Sequence, residues 1–385
     1  MSHPLDLHLS DEERGLYQRT RALASEALEP IAAAGKPGRV NRPLVTALAD
    51  HGLLDRLFAG ETVSAIELCL IREALARGST AAETAFALQG LGAYPILQAG
   101  SWQLRDAWIP RVASGEAIAA FALTEPQAGS DPAALQLRAE PDPDSDPAHP
   151  GYRLTGEKLW ISNAPEADIY TVFARTADSP GARGLTAFAV PGDAPGLSGE
   201  PRELLAPHAI GSLVFDGVPV PADHVLGEPG AGFRVAMRTL DLFRPSVGAF
   251  GIGMARAALD LATTYALERR TFGVPLAEHQ AVAHRLAQLH AETEAARLLV
   301  HQAARAHDAG QADPSLAAMA KLLATEVAQA AVDAAVQVHG ATALEHGHPL
   351  EHLYREVRAP RIYEGASEIQ RQIIARAMFR AAEAS

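Results

Sequence analysis

Residues 361–371 read RIYEGASEIQR and place one carboxylate, Glu364, between an aromatic residue, Tyr363, and a glycine, Gly365. A solvated surface glutamate needs neither neighbour. An acid that must take a proton from carbon needs a backbone able to turn sharply and a dry surrounding that raises its pKa towards working pH. A helix-like run follows from Ile369 to Ala377, so a plainer reading also fits: an acid favoured by the dipole at a helix start. Other residues that could carry chemistry are the lone Cys69, in an apolar helical stretch, and the pair His346 and His348 around Gly347. One cysteine permits no intrachain disulfide framework and no four-cysteine metal site. A His-x-His without a cysteine or carboxylate constellation reads as a polar loop, so no metal is expected.

The elements that must position such residues fall into three stretches. From Ser10 the pattern is helical: Ser10 with Glu13 forms a capping box opening a helix through about Leu28. The run RPLVTALADHGLL repeats apolar residues at helical spacing and stops at His51 and Gly52. Near Phe121 the texture changes to short runs rich in β-branched and aromatic residues, separated by Gly, Pro and Asp. This predicts an antiparallel barrel or sandwich over 119–228, with an acidic, proline-rich exposed loop at 139–151. After GEPGAGF the helical period returns to the end. Pro245 is placed in the first turn of a helix, Gly248, Gly251 and Gly253 permit close approach of another element, and Asp313 with Pro314 caps a further helix. The fold class expected is α+β, mainly α, in three domains: N-terminal helices (1–118), a central β domain (119–228) and an up-and-down four-helix bundle (229–385).

The chain has 385 residues, about half of them apolar, and a formal net charge of −13. That balance argues against a nucleic-acid or anionic-membrane surface, which would want clustered Lys and Arg. No membrane-span-like apolar run and no signal-peptide core are evident, so no membrane partner and a cytoplasmic location are expected.

Four stretches carry a resemblance: FALTEPQAGSD at 121–131, LWISN at 159–163, YALERRTFG at 265–273 and IYEGASEIQR at 362–371. Together, in this order, they resemble the acyl-CoA dehydrogenases, FAD-dependent flavoproteins with this sequence of domains. The resemblance implies oxidation of an acyl-CoA to its trans-2-enoyl-CoA in fatty acid metabolism. Glu364 would abstract the α proton, and the flavin would accept the β hydrogen as hydride. The backbone N–H of Glu364 and a ribityl hydroxyl of FAD would stabilise the thioester oxygen as an oxyanion hole does. The alternative position for the base is 243, which is Phe243 here.

The resemblance also assigns cofactor contacts to Phe121, Leu123, Thr124, Ser130, Trp160, Ile161, Ser162, Arg269, Thr271, Phe272, Gln280, Gln337, Gly340, Ala366 and Glu368. Arg269 would hold the pyrophosphate through its guanidinium fork. Substrate contacts fall on Ser130, Asp241, Arg244, Tyr363 and Gly365, although Arg244 reads equally as half of a helix-end salt bridge. An electron-transfer flavoprotein as acceptor and a homotetramer, or a homodimer, are implied as well.

The chain departs from the family pattern in several places. Gly340-Ala341-Thr342-Ala343 replaces a glycine-rich turn, Ala366 replaces a frequent threonine, and the loop LLAPHAIGSLVF is short. The Gly-rich loop usual between Phe58 and Ser64 is missing. These changes leave two readings open beside the first: a dehydrogenase of carrier-protein thioesters, and an oxygen-using oxidase. A helical scaffold without FAD would need the joint retention of Glu364, Trp160 and Arg269 to be accidental.

Overall fold

The computed structural model describes residues 6, 8–58, 60, 63–145, 150–179 and 181–383. The loop between Phe58 and Ser64 and the middle of the acidic 139–151 segment lie partly outside these residues. The first helices are α1 (Asp11–Leu23), α2 (Glu29–Ala33), α3 (Arg42–Asp50), α4 (Asp55–Phe58), α5 (Ala65–Gly78), α6 (Thr80–Ala99) and α7 (Trp102–Ala113). Strands β1 (Ala119–Ala122), β2 (Arg138–Pro141), β3 (Tyr152–Ser162), β4 (Ile169–Arg175), β5 (Leu185–Pro191), β6 (Leu197–Pro201), β7 (Ile210–Val220) and β8 (Val225–Leu226) follow. Then come α8 (Gly232–Glu268), the hairpin β9 (Arg270–Thr271) and β10 (Val274–Pro275), α9 (Gln280–Asp308), α10 (Pro314–His339), α11 (Pro349–Glu356) and α12 (Ser367–Glu383).

The chain folds into two compact units. One contains residues 1–29, 64–83 and 241–385; the other contains 30–63 and 84–240. In the first, helical unit, the Ser10 capping box forms on both sides, and α1 runs on through a π-helical turn to Leu28. Asp313 caps α10 by accepting from the Ser315 N–H, with Pro314 at the first position. The core-facing side of α10 is a run of alanines, including Ala317, Ala320, Ala324, Ala328 and Ala331, all buried. Such a flat face lets α8 come close. A Cβ on Gly248 would lie 2.8 Å from Val300 Cγ2 and 3.3 Å from the Ala320 carbonyl, and one on Gly253 would lie 2.5 Å from Ala76 Cβ. These glycines are therefore packing devices.

Pro245 does not start a helix; it lies inside α8, where it cannot donate to the carbonyl four residues back. The neighbouring Ser246 hydroxyl donates to the Phe243 carbonyl at 2.7 Å, so local side-chain bonding supports this part of the helix. The stretch Pro314–Leu344 is also long and apolar enough, by composition, to cross a membrane, which the sequence reading did not register. More than half of its most apolar segment is buried, as part of the core of this unit.

In the second unit the strands pair in the order β6-β7-β3-β2-β4-β5-β8, with β1 attached to β4. The sheet is mixed rather than purely antiparallel: β1 and β2 both run parallel to β4. Parallel neighbours need a crossover, and the passage through β2 and β3 supplies it between β1 and β4. The start of the expected 139–151 loop is in fact strand, since Ala139–Pro141 pair with β3. Gln89 of α6 ties this unit's helices to its sheet: its amide donates to the Val112 and Ala117 carbonyls and accepts from the Ala119 N–H.

Candidate active site

In the sheet unit, hydrogen bonds bring the 121–131 and 159–163 motifs together. The Leu159 N–H donates to the Thr124 carbonyl at 3.0 Å. The Lys158 ammonium donates to the Leu123 carbonyl at 2.9 Å and to Glu125 Oε1 at 2.8 Å. Glu125 in turn accepts from the N–H groups of Gln136 and Leu137. Lys158 and Glu125 are both buried. Burial lowers the Lys158 pKa to about 8, against the pull of Glu125.

Between Lys158 and Ile161 the register with β7 slips, and Trp160 sits at this bulge with φ +60°. The bulge turns its indole outward, 49 % exposed, while Ile161 is buried and Ser162 half-buried. Phe121, Leu123 and Thr124 are half-buried beside it, and Ser130 is exposed at the end of the loop. A large apolar ring held out of its own core at a left-handed position fits a planar apolar ligand.

Removing one partner of a buried ion pair costs about 3–5 kcal/mol. Lys158→Met is therefore expected to lower the stability of the protein by about 3 kcal/mol, read by chemical denaturation. A loss below about 0.5 kcal/mol, the scale of surface substitutions, would show that Glu125 is held by its backbone donors alone.

In the helical unit, Thr271, Phe272 and Gly273 form the tip of the β9–β10 hairpin. Phe272 has φ +51° and is 98 % exposed. His279, next to Gln280, bonds the Thr271 hydroxyl at 3.1 Å, and Arg269 and Gln280 are exposed beside this tip. At the end of α10, Gln337 is exposed and Gly340 caps the helix with φ +65°. The Tyr265 ring stacks on His339 at 4.2 Å, joining the ends of α8 and α10. His348 caps α11 by accepting from the Leu350 N–H.

Glu364 lies in the turn that enters α12. Its φ is +51° and that of Gly365 is +93°. A non-glycine residue in this region is strained by about 1–2 kcal/mol, and persists only where its surroundings hold it. Here α10 does much of the holding. Lys321 donates to the Tyr363 carbonyl at 2.9 Å and to the Gly365 carbonyl at 2.5 Å. Glu326 accepts from the Ser367 hydroxyl at 2.7 Å and pairs with Arg361 at 2.8 Å, so it braces the turn on both sides. From α12, the buried Gln370 amide donates to the Glu364 and Gly365 carbonyls.

Glu364 Oε2 is buried and has no hydrogen-bond partner among the described residues. Burial raises its pKa above the usual carboxylate value, opposed by Arg72, Lys321 and Arg244. Arg244 is three residues on from Asp241, which it meets at 3.3 Å, while its Nε is buried without a partner among the described residues. Burial raises the Asp241 pKa in spite of Arg244. Tyr363 is 37 % exposed, and burial of the remainder together with Glu83 pushes its phenol well above its usual pKa. Ala366 is half-buried and Glu368 exposed, 3.3 Å from Arg371.

Sequence reasoning missed Lys321, Arg72 and Gln370. Arg72 is buried on α5, donating to Glu83 and, at 2.6 Å, to the Ser246 hydroxyl. The available signal for the two cations was a basic residue inside a largely apolar helical run, beside Glu73 in LCLIREALA and alone in AAMAKLLAT.

A carboxylate in a left-handed turn, framed by buried cations, joins an order of helices, mixed sheet and helices, the build of the acyl-CoA dehydrogenase fold. The chain belongs to the acyl-CoA dehydrogenase family. It matches the N-terminal domain of that family over residues 10–116, the middle domain over 120–218 and the C-terminal domain over 230–379. It is 35% identical to the cyclohexane-1-carbonyl-CoA dehydrogenase of Geobacter metallireducens over 382 residues, 97% of this chain and 99% of that one. Among solved structures it is similar to the butyryl-CoA dehydrogenase of Megasphaera elsdenii, with TM-score 0.89, 31% identity and coverage of 98% and 100%. It is also similar to a glutaryl-CoA dehydrogenase in complex with glutaryl-CoA, with TM-score 0.87, 33% identity and coverage of 97% and 96%. The family is FAD-dependent. The outward Trp160 and the exposed Phe272 beside Arg269 fit such a cofactor, each within its own unit.

Proposed function

We propose that this enzyme removes the α proton and a β hydride from the acyl group of a CoA thioester, giving the trans-2-enoyl-CoA, with Glu364 as the base. The observation that carries this reading is the buried, unbonded Oε2 of Glu364 on a strained turn. A carboxylate already bonded by its own protein would be a poor base. This one is desolvated, with its pKa raised above the ordinary carboxylate value, and is ready to accept a proton from carbon.

FAD, when bound, supplies the acceptor for the β hydride. The residues that the family resemblance assigns to it are, in the sheet unit, Phe121, Leu123, Thr124, Ser130, Trp160, Ile161 and Ser162 and, in the helical unit, Arg269, Thr271, Phe272, Gln280, Gln337, Gly340, Ala366 and Glu368. Arg72, Lys321 and Arg244 favour the ionised form of Glu364 against the burial that raises its pKa. The free Nε of Arg244 is a donor for a polar group of the substrate, with Asp241, Tyr363, Gly365 and Ser130 as further substrate contacts.

An electron-transfer flavoprotein as the acceptor and a homotetramer, or a homodimer, are what the family resemblance implies, and with a cytoplasmic location they complete the proposal. Mass spectrometry of a panel of acyl-CoA thioesters incubated with the enzyme and an artificial electron acceptor tests it. One chain class should lose two hydrogens; a yellow protein that changes none of them would refute the reading. Light scattering at micromolar concentration reads the assembly, and a monomer would remove that part of the proposal.

A further inference from the structure

We propose that Lys321 is the positioning residue of the general base: by binding the carbonyl oxygens of Tyr363 and Gly365 it holds Glu364 in its left-handed turn and places an ammonium beside it. This inference rests on the assignment of Glu364 as the base.

Lys321 is fully buried on the alanine face of α10. Its ammonium bonds two backbone carbonyls, those of Tyr363 and Gly365, at 2.9 and 2.5 Å. Among the described residues it makes no ion pair with a carboxylate. A buried ammonium is expensive, and one kept without an ion pair, for the sake of two carbonyls bracketing a single residue, points to a role for that residue. The geometry is specific. Its bond to the Tyr363 carbonyl holds the peptide plane that enters Glu364, and its bond to the Gly365 carbonyl holds the peptide one residue beyond, so the turn that carries φ +51° is pinned at both ends.

The charged groups around the pair are few and come from every neighbouring element. Glu364 faces Arg72 of α5, Arg244 of α8 and Lys321 of α10. Lys321 faces Glu364, Arg244, Glu326 and Glu368. Burial lowers the Lys321 pKa to about 8, so at neutral pH the ammonium is charged and favours ionised Glu364. Arg72 is bonded to Glu83 and Ser246, and Arg244 meets Asp241 while its Nε has no partner among the described residues. Of these three cations, Lys321 is the one that hydrogen-bonds the backbone of the turn among the described residues.

The test compares wild-type holoenzyme with Lys321→Met, Lys321→Gln and Lys321→Arg, using the acyl-CoA that the wild type oxidises best. Lys321→Met is expected to lower kcat about 10–100-fold with little change in KM, because a base misplaced by a fraction of an ångström loses its reaction geometry. The acidic limb of its pH profile should move up by about one unit, since a nearby cation has been removed. Lys321→Gln, which keeps a donor but no charge, should show the same displacement of the limb with a smaller loss of kcat. Lys321→Arg should return the limb towards its wild-type position. A limb that stays in place in both neutral variants would overturn the proposal and leave Lys321 as a packing residue, whatever happens to the melting temperature.

An infrared titration of the Glu364 carboxyl, taken as the difference between each protein and its Glu364→Gln counterpart, needs no turnover. An upward shift in Lys321→Gln supports the proposal even if no acyl-CoA is oxidised, and an unmoved midpoint refutes it even if one is. If Lys321→Met fails to fold, Lys321→Gln carries both measurements.

Discussion

Glu364→Gln is expected to lower turnover by about 10²–10⁴-fold while leaving the fold intact. The amide has the shape of the acid but cannot take a proton. Oε2 makes no hydrogen bond among the described residues, so the substitution breaks no contact there. Its effect on stability has a definite sign. The folded-state pKa of Glu364 is raised above the unfolded value. The folded protein therefore binds more protons than the unfolded chain between those two values, and the ionised group costs stability at higher pH. Glu364→Gln should melt at the same or a slightly higher temperature at pH 7. A large loss of stability alongside the loss of turnover would show that the carboxylate has a structural partner. The wild-type pH profile should rise as Glu364 ionises, through an inflection above 4.5, its ordinary value.

Glu73→Gln is expected to have the largest effect on stability, about 3–5 kcal/mol. Glu73 is fully buried at the centre of the helical unit. It accepts from Arg297 Nε at 2.8 and 2.9 Å and from Arg256 at 2.8 Å, with His301 Nε2 at 3.4 Å. Arg297 extends the network to Asp6 at 2.7 Å, and both guanidiniums lie over the Tyr17 ring. Neutralising the acid leaves the two guanidiniums with the longer pairing to Glu294, at 3.5 Å from Arg256 and 3.9 Å from Arg297, besides the Asp6 contact of Arg297.

Burial by itself would raise the Glu73 pKa, but Arg297, the His301 bond and Arg256 overcome it and hold the carboxyl well below its usual range. A depressed folded-state pKa gives stability that is present above the unfolded value, near 4.5, and lost as pH falls towards the folded value. Denaturation curves of the wild type should therefore weaken steadily below about pH 4.5, and those of Glu73→Gln should be flatter over the same window. Equal slopes in the two proteins would assign the acid sensitivity to other carboxylates.

Much of this organisation is visible in the residues themselves. Ser10 and Glu13, or Asp313 and Pro314, announce helix starts because capping is local chemistry within four residues. The spacing of glycines in α8 reads as close packing because a missing Cβ has few other uses. Glu364 stands out through its two neighbours. What escapes is set by partners distant in sequence. Pro245 looks like a helix start, and only the Ser246 hydroxyl and the packing of α8 explain its place inside one. The parallel pairing of β1 with β4 has no signature in either strand. That Trp160 faces outward is decided by the bulge against β7, which has no mark in the LWISN motif itself. Lys321 and Arg72 look like chance charges in apolar helices, since the carbonyls and hydroxyl they bind lie 42 to 174 residues away.

Exchange of the α hydrogens of a bound acyl-CoA tests the central claim most directly. The enzyme, held without an electron acceptor, is incubated with its acyl-CoA in deuterium oxide, and the recovered thioester is weighed by mass spectrometry. The account predicts deuterium at the α carbon with the wild type and none above background with Glu364→Gln, although that variant still binds the thioester. Undiminished exchange in Glu364→Gln would contradict it and place the base elsewhere in the chain.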